Sequence, residues 1–122
     1  MGTPLSREEL IKKIEAKENV SKVDTSSIDN MKELFDGNDT FNQPLNDWDV
    51  SNVTDMKGVF NGATSFNQPL NNWNVSKVEN MEWMFKGAKN YTYSFKTWEL
   101  NSSCRTDDFF RRLSSMASFQ HR

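Results

Sequence analysis

The chain has 122 residues, a formal net charge of −2, 35% apolar and 26% charged residues. That size holds one domain with one core, and so balanced a charge leaves no basic footprint for nucleic acid. No apolar run approaches the roughly 18 residues of a membrane span, no secretory h-region follows Met1, and a single cysteine, Cys104, excludes an internal disulfide.

The first element is a helix. Ser6 and Glu9 stand at capping-box spacing, and Leu10, Ile11 and Ile14 then share one face. Residues 1–15 therefore read as a helical lid. Met1-Gly2-x-x-x-Ser6 also matches an N-myristoylation pattern, against which stands the job of Ser6 as a helix cap.

A repeat begins behind the lid. Residues 41–65 read FNQPLNDWDVSNVTDMKGVFNGATS and residues 66–90 read FNQPLNNWNVSKVENMEWMFKGAKN, with 14 of 25 positions identical. Residues 16–40 lack the FNQPL phrase but keep Met31, Phe35 and Gly37 in phase with Met56, Phe60 and Gly62. One period later Phe95, Trp98 and Leu100 stay in register before the pattern diverges. Two clean copies between two degraded ones are the pattern of a short stack whose ends must cover its core.

Within a repeat the period changes. Trp48 and Val50 alternate with Asp47 and Asp49, which predicts a half-buried strand. Val53, Met56 and Phe60 are spaced as one face of a helix. Ser76 and Glu79 have capping-box spacing, with Ser26 and Ser51 in the same column, and Asn61-Gly62 and Lys86-Gly87 suit a left-handed terminus. Pro44 and Pro69 make the FNQPL phrase an extended corner, where Asn42, Gln43, Asn67 and Gln68 satisfy backbone groups or one another between repeats. At the other end, residues 107–116 begin with acids and carry Phe109, Phe110 and Leu113 at helical spacing, which predicts a second lid over a domain of repeats at 16–40, 41–65 and 66–90 and a degenerate one from 91 to 122.

The spacing Leu45-x-x-Trp48-x-Val50-x-x-Val53, repeated at Leu70, Trp73, Val75 and Val78, resembles the leucine-rich-repeat strand pattern. The fuller text FNQPLNxWxVSxVxxMxxxFxGA resembles the BspA-like leucine-rich-repeat surface proteins and the related Mycoplasma lipoprotein repeat of unknown function. The resemblance implies a strand-plus-helix solenoid, a bacterial cell-surface location with a role in adhesion or partner binding, and no catalytic residues. The expected fold is thus an α/β right-handed solenoid of about four coils, with short strands, short helices and helical caps at both ends.

Few residues suit catalysis or cofactors. His121, the one histidine, stands next to the C-terminus, no His/Cys cluster has metal-ligand spacing, and the carboxylates do not follow a calcium loop; no cofactor or metal is expected. Cys104 shares a column with Asp29, Thr54 and Glu79 and is expected to be a partly exposed free thiol. Six N-x-S/T sequons, at Asn19, Asn38, Asn52, Asn74, Asn90 and Asn101, are what an Asn-, Ser- and Thr-rich repeat generates by itself.

Two features point outward. Strand positions Lys22, Asp47, Asn72 and Thr97 form one polar column and Asp24, Asp49, Asn74 and Glu99 another, either a recognition surface for protein or glycan or a solvated sheet face. Trp83 stands in a column otherwise made of Glu33, Gly58 and Asp108, so it is either an exposed partner anchor or packed against its neighbours. The expected function is a non-catalytic binding module using Asp47, Asp49, Asn72, Asn74 and Trp83; the alternative is a structural spacer, and an enzyme is a distant third. Partners other than protein or glycan, and the oligomeric state, are not encoded in these patterns.

Overall fold

The computed structural model describes residues 3–110 and 120–121. The lid helix α1 (Arg7–Glu15) forms as expected: the Ser6 hydroxyl accepts from the Glu9 amide and the Glu9 carboxylate accepts from the Ser6 amide at 2.8 Å. It buries Leu10 and packs Ile11 and Ile14 on the core.

Beyond α1 the expectation fails. The α/β leucine-rich-repeat-like solenoid of strand-plus-helix coils does not form. The described residues hold α1, one parallel pair of two-residue strands, β1 (Glu99–Leu100) and β2 (Gln120–His121), and otherwise turns and irregular backbone. The column that carries asparagine in leucine-rich repeats holds Ile28, Val53 and Val78 here, all buried in the core.

The helix expected across Val53, Met56 and Phe60 is replaced for a definite reason. The amides of Met56, Gly58, Phe60 and Gly62 donate to the carbonyls of Asn80, Glu82, Met84 and Lys86, at 2.8, 2.9, 2.8 and 2.7 Å. The intervening amides of Val59, Asn61 and Ala63 close turns on the carbonyls three residues back. No amide is left for the four-residue bond of an α-helix, and Gly58 and Gly62, at φ +64° and +72°, lie in the left-handed region a right-handed helix excludes. Spacings of three and four thus arise from successive turns.

The strand expected at 47–50 also fails, although its alternation holds. Trp48 and Val50 are buried and Asp47 and Asp49 exposed. Their backbone runs between two turns, closed by Trp48 N–H to Leu45 O and Val53 N–H to Val50 O at 3.0 Å each, rather than along a ladder.

The 25-residue period survives as hydrogen bonding between copies. Parallel bridges join Asn30 to Asp55, Asp55 to Asn80 and Asn80 to Arg105. Met31, Glu33, Phe35 and Gly37 donate to the second copy as their counterparts do to the third. Between these layers the core rings superpose: Phe35, Phe60 and Phe85 stack at centroid spacings of 5.4 and 5.1 Å, and Phe41, Phe66 and Tyr91 at 6.0 and 5.8 Å. The buried indoles of Trp48, Trp73 and Trp98 donate to the carbonyls of Val20, Leu45 and Leu70.

Each end of such a ladder exposes backbone groups that need partners. At the first layer Arg7 of α1 supplies them: its guanidinium donates to the carbonyls of Asn30 at 2.9 Å and Lys32 at 2.8 Å, as a preceding layer's amides would. At the far end Phe109 and Phe110 are buried against Phe85 and Phe95. The second helical lid, expected over 107–116, begins here as a turn and bend; its remainder, with Leu113, lies outside the described residues.

Candidate functional site

The polar columns predicted from the period are present, on turns and irregular backbone except at Glu99, which falls in β1. In the first three copies an Asp or Asn of the second column accepts, through one side-chain oxygen, both the amide and the hydroxyl of the Ser two residues on. These bonds measure 3.0 and 2.6 Å for Asp49 with Ser51, and 3.1 and 2.7 Å for Asn74 with Ser76. Asp24 with Ser26 repeats the arrangement in the same column, and Asn101 with Ser103 repeats it two positions later in the last copy. The Ser51 and Ser76 hydroxyls are therefore spent on this turn and cap no helix. Hydrogen bonds from Ser26 and Ser51, hydroxyl first and amide second, hold the Asp24 and Asp49 carboxyls below the usual aspartate value.

The face so built is continuous between copies. The Asn46 amide group donates to the Asn71 oxygen at 3.1 Å, and the Asn46 oxygen accepts the Asn72 backbone amide at 2.9 Å. Asn72 and Asn74 line a shallow groove of about 250 Å³ with Thr97 and Glu99. Asp47 and Asp49 occupy the same columns one copy earlier and are exposed. The structure thus brings four of the five predicted binding residues onto one face.

Trp83 belongs elsewhere. It is 39% exposed, with the Lys57 ammonium 4.7 Å and the Lys86 ammonium 5.3 Å from its ring centroid. Its backbone is left-handed, at φ +61°, a place its column fills with Gly58 one copy earlier. Lys57 and Lys86 were missed in the sequence, because nothing in the period says which neighbouring side chains bend over a ring.

The corner residues act as expected. Gln43 accepts the Val20 amide at 2.7 Å and donates to the Glu18 carbonyl at 3.0 Å, and the Asn42 oxygen accepts the Asn67 amide at 2.8 Å. Three of the six sequons have a structural account: Asn19, Asn74 and Asn101 are turn acceptors for the Ser two residues on, the job Asp24 and Asp49 do without a sequon. Cys104 corrects an expectation. It is buried, at 8% exposure, and burial pushes its thiol up to about 11. The His121 side chain lies outside the description. Among the described residues no three His, Cys, Asp or Glu side chains group as a metal site, and no helix is long and apolar enough to cross a membrane.

Turn-built copies stacked in register, with a polar face and no strand-plus-helix units, set this chain apart from leucine-rich repeats. A family model described as Mycoplasma protein of unknown function, DUF285, matches residues 6–121. The chain belongs to that family. No curated protein and no solved structure matches it.

Proposed function

We propose that the chain is a non-catalytic binding module that recognises protein or glycan through the exposed face of Asp47, Asp49, Asn72 and Asn74. The supporting observation is that this face is held in place before any ligand arrives. Asp49 and Asn74 are each fixed by two hydrogen bonds to a following serine, so little side-chain freedom remains to be lost on binding. Each uses one side-chain atom in the turn, leaving the outer carboxylate oxygen of Asp49 and the amide group of Asn74 for a partner.

The alternative is a spacer, favoured by the extent to which the face's polar groups already bond between copies. A screen on protein and glycan arrays separates the two. Asp47→Lys with Asn72→Lys changes the face while sparing the serine-bound turns. A ligand held by the wild type and lost by this folded variant supports recognition by the face. Equal retention places binding elsewhere, and no ligand for either protein favours the spacer.

A further inference from the structure

The four tryptophans divide three against one. Trp48, Trp73 and Trp98 are buried, and each donates its indole N–H to a carbonyl in the preceding copy. Trp83 is exposed, and among the described residues its indole makes no such bond. Its left-handed backbone, φ +61°, is shared by its whole column, with Glu33 at +58°, Gly58 at +64° and Asp108 at +53°. What sets Trp83 apart is the side chain: an exposed aromatic ring where the other copies carry glycine or an acid, which points to a use for the ring.

What surrounds Trp83 defines that use. The Lys57 and Lys86 ammonium groups stand 4.7 and 5.3 Å from the ring centroid. Of the acids around it, Glu82 is paired with Arg105 at 2.9 Å; Glu33 lies two layers back, its Cγ 3.2 Å from where a Cβ on Gly58 would stand; and Asp108 holds the same column one layer on, next to Asp107, whose carbonyl accepts the Trp83 amide at 3.1 Å. Two ammonium groups and an indole N–H are donors only, and none of these three side chains can accept a hydrogen bond. Such a patch suits a ligand whose polar groups only accept. Carboxylates meet that condition, whereas sugar hydroxyls bring donors that would go unsatisfied.

We propose that Trp83, Lys57 and Lys86 form a docking site for an acidic peptide segment, in which carboxylates meet the two lysines and an apolar side chain lies against the indole. This site is separate from the polar face and does not rest on it.

The test uses the full chain and a dye-labelled peptide of alternating Glu and Leu, followed by fluorescence anisotropy. Saturable binding is expected, weakening as salt is raised, and weakening by about tenfold or more in Trp83→Gly and in Lys57→Gln with Lys86→Gln. In urea denaturation Trp83→Gly should be at least as stable as the wild type, because glycine relieves the strain; a ring serving only as packing would instead lose stability when removed. Should Trp83→Gly fail to fold, the double lysine variant decides. The proposal is overturned if the peptide does not bind at millimolar concentration, or if it binds the folded lysine variant as tightly as the wild type. Polygalacturonate binding more tightly than the peptide would overturn it in favour of an acidic glycan.

Discussion

Asp49 is the residue at which turn chemistry and titration meet. Its carboxylate accepts from the Ser51 hydroxyl at 2.6 Å and the Ser51 amide at 3.0 Å, and Asp24 does the same with Ser26. Both bonds favour the charged form, so each carboxyl titrates below its ordinary value in the folded chain. A depressed carboxyl stabilises the fold above the unfolded value of about 3.9 and loses that contribution as pH falls through the lower folded value. Asn74 shows that an amide builds the same turn without titrating. Asp24→Asn with Asp49→Asn should therefore lose less stability than the wild type between pH 6 and pH 3, measured as the shift in urea midpoint. Equal shifts would mean that these two carboxyls carry none of the acid sensitivity. Phe60 offers the apolar counterpart. It is fully buried, with ring centroids of Phe66, Phe85 and Phe35 at 4.1, 5.1 and 5.4 Å. Phe60→Ala should cost about 3–5 kcal/mol in urea denaturation, the range for emptying a packed aromatic site. A loss below about 1 kcal/mol would show that the ring stack is not the core.

At the scale of elements, α1 shows what a sequence can declare and the repeats show what it can conceal. The Ser6–Glu9 capping box formed, whereas the Ser76–Glu79 spacing capped nothing. The difference lies two residues upstream, where Asn74 takes the Ser76 hydroxyl and Pro4 has nothing with which to take that of Ser6. A serine preceded at that spacing by Asp or Asn belongs to a turn, and this competition is local enough to be read. The core was legible for a similar reason: period arithmetic placed Met56, Phe60, Met81 and Phe85 inside, and all four are fully buried. The backbone was not legible, because a helix and a run of three-residue turns bury the same positions and differ only in where the amides donate. Those partners lie 24 residues away. The polar face was legible as columns, but its fixation by serine was not foreseen. Arg7 was invisible too, since the carbonyls it satisfies become orphans only once the layers stack. Its planar fork spans two acceptors at 2.9 and 2.8 Å, which a lysine cannot reproduce. Arg7→Ala should cost about 1–3 kcal/mol by leaving two ladder carbonyls without these donors, and Arg7→Lys should recover less than half. Urea denaturation of both variants checks this, and full recovery by lysine would reduce the role of Arg7 to its charge.

For the molecule as a whole, register matters more than the number of copies. Bonds between copies join residues 23 to 26 apart, and the indole bonds join residues 28 apart. A copy removed as one complete period leaves every column aligned. Deleting residues 41–65 joins Thr40 to Phe66, which replaces Phe41 before the same NQPLN text. The first copy's carbonyls and amides then face the third copy as they had faced the second, and Phe85 can take the place of Phe60 above Phe35. Deleting residues 41–64 removes one residue fewer and leaves Ser65 in the join, so every later side chain is displaced by one position relative to the layer below. Alternating buried and exposed residues then exchange faces, and Trp73 and Val75 meet columns built for Asp and Ser. The 25-residue deletion should melt cooperatively, with a lower midpoint and a smaller denaturant slope because less surface is buried. The 24-residue deletion should show no cooperative transition, and near-ultraviolet circular dichroism of the stacked indoles should be lost in it alone. If the two deletions melt alike, the stack does not depend on in-phase pairing, and the 25-residue period would reflect the history of the gene more than the physics of the fold.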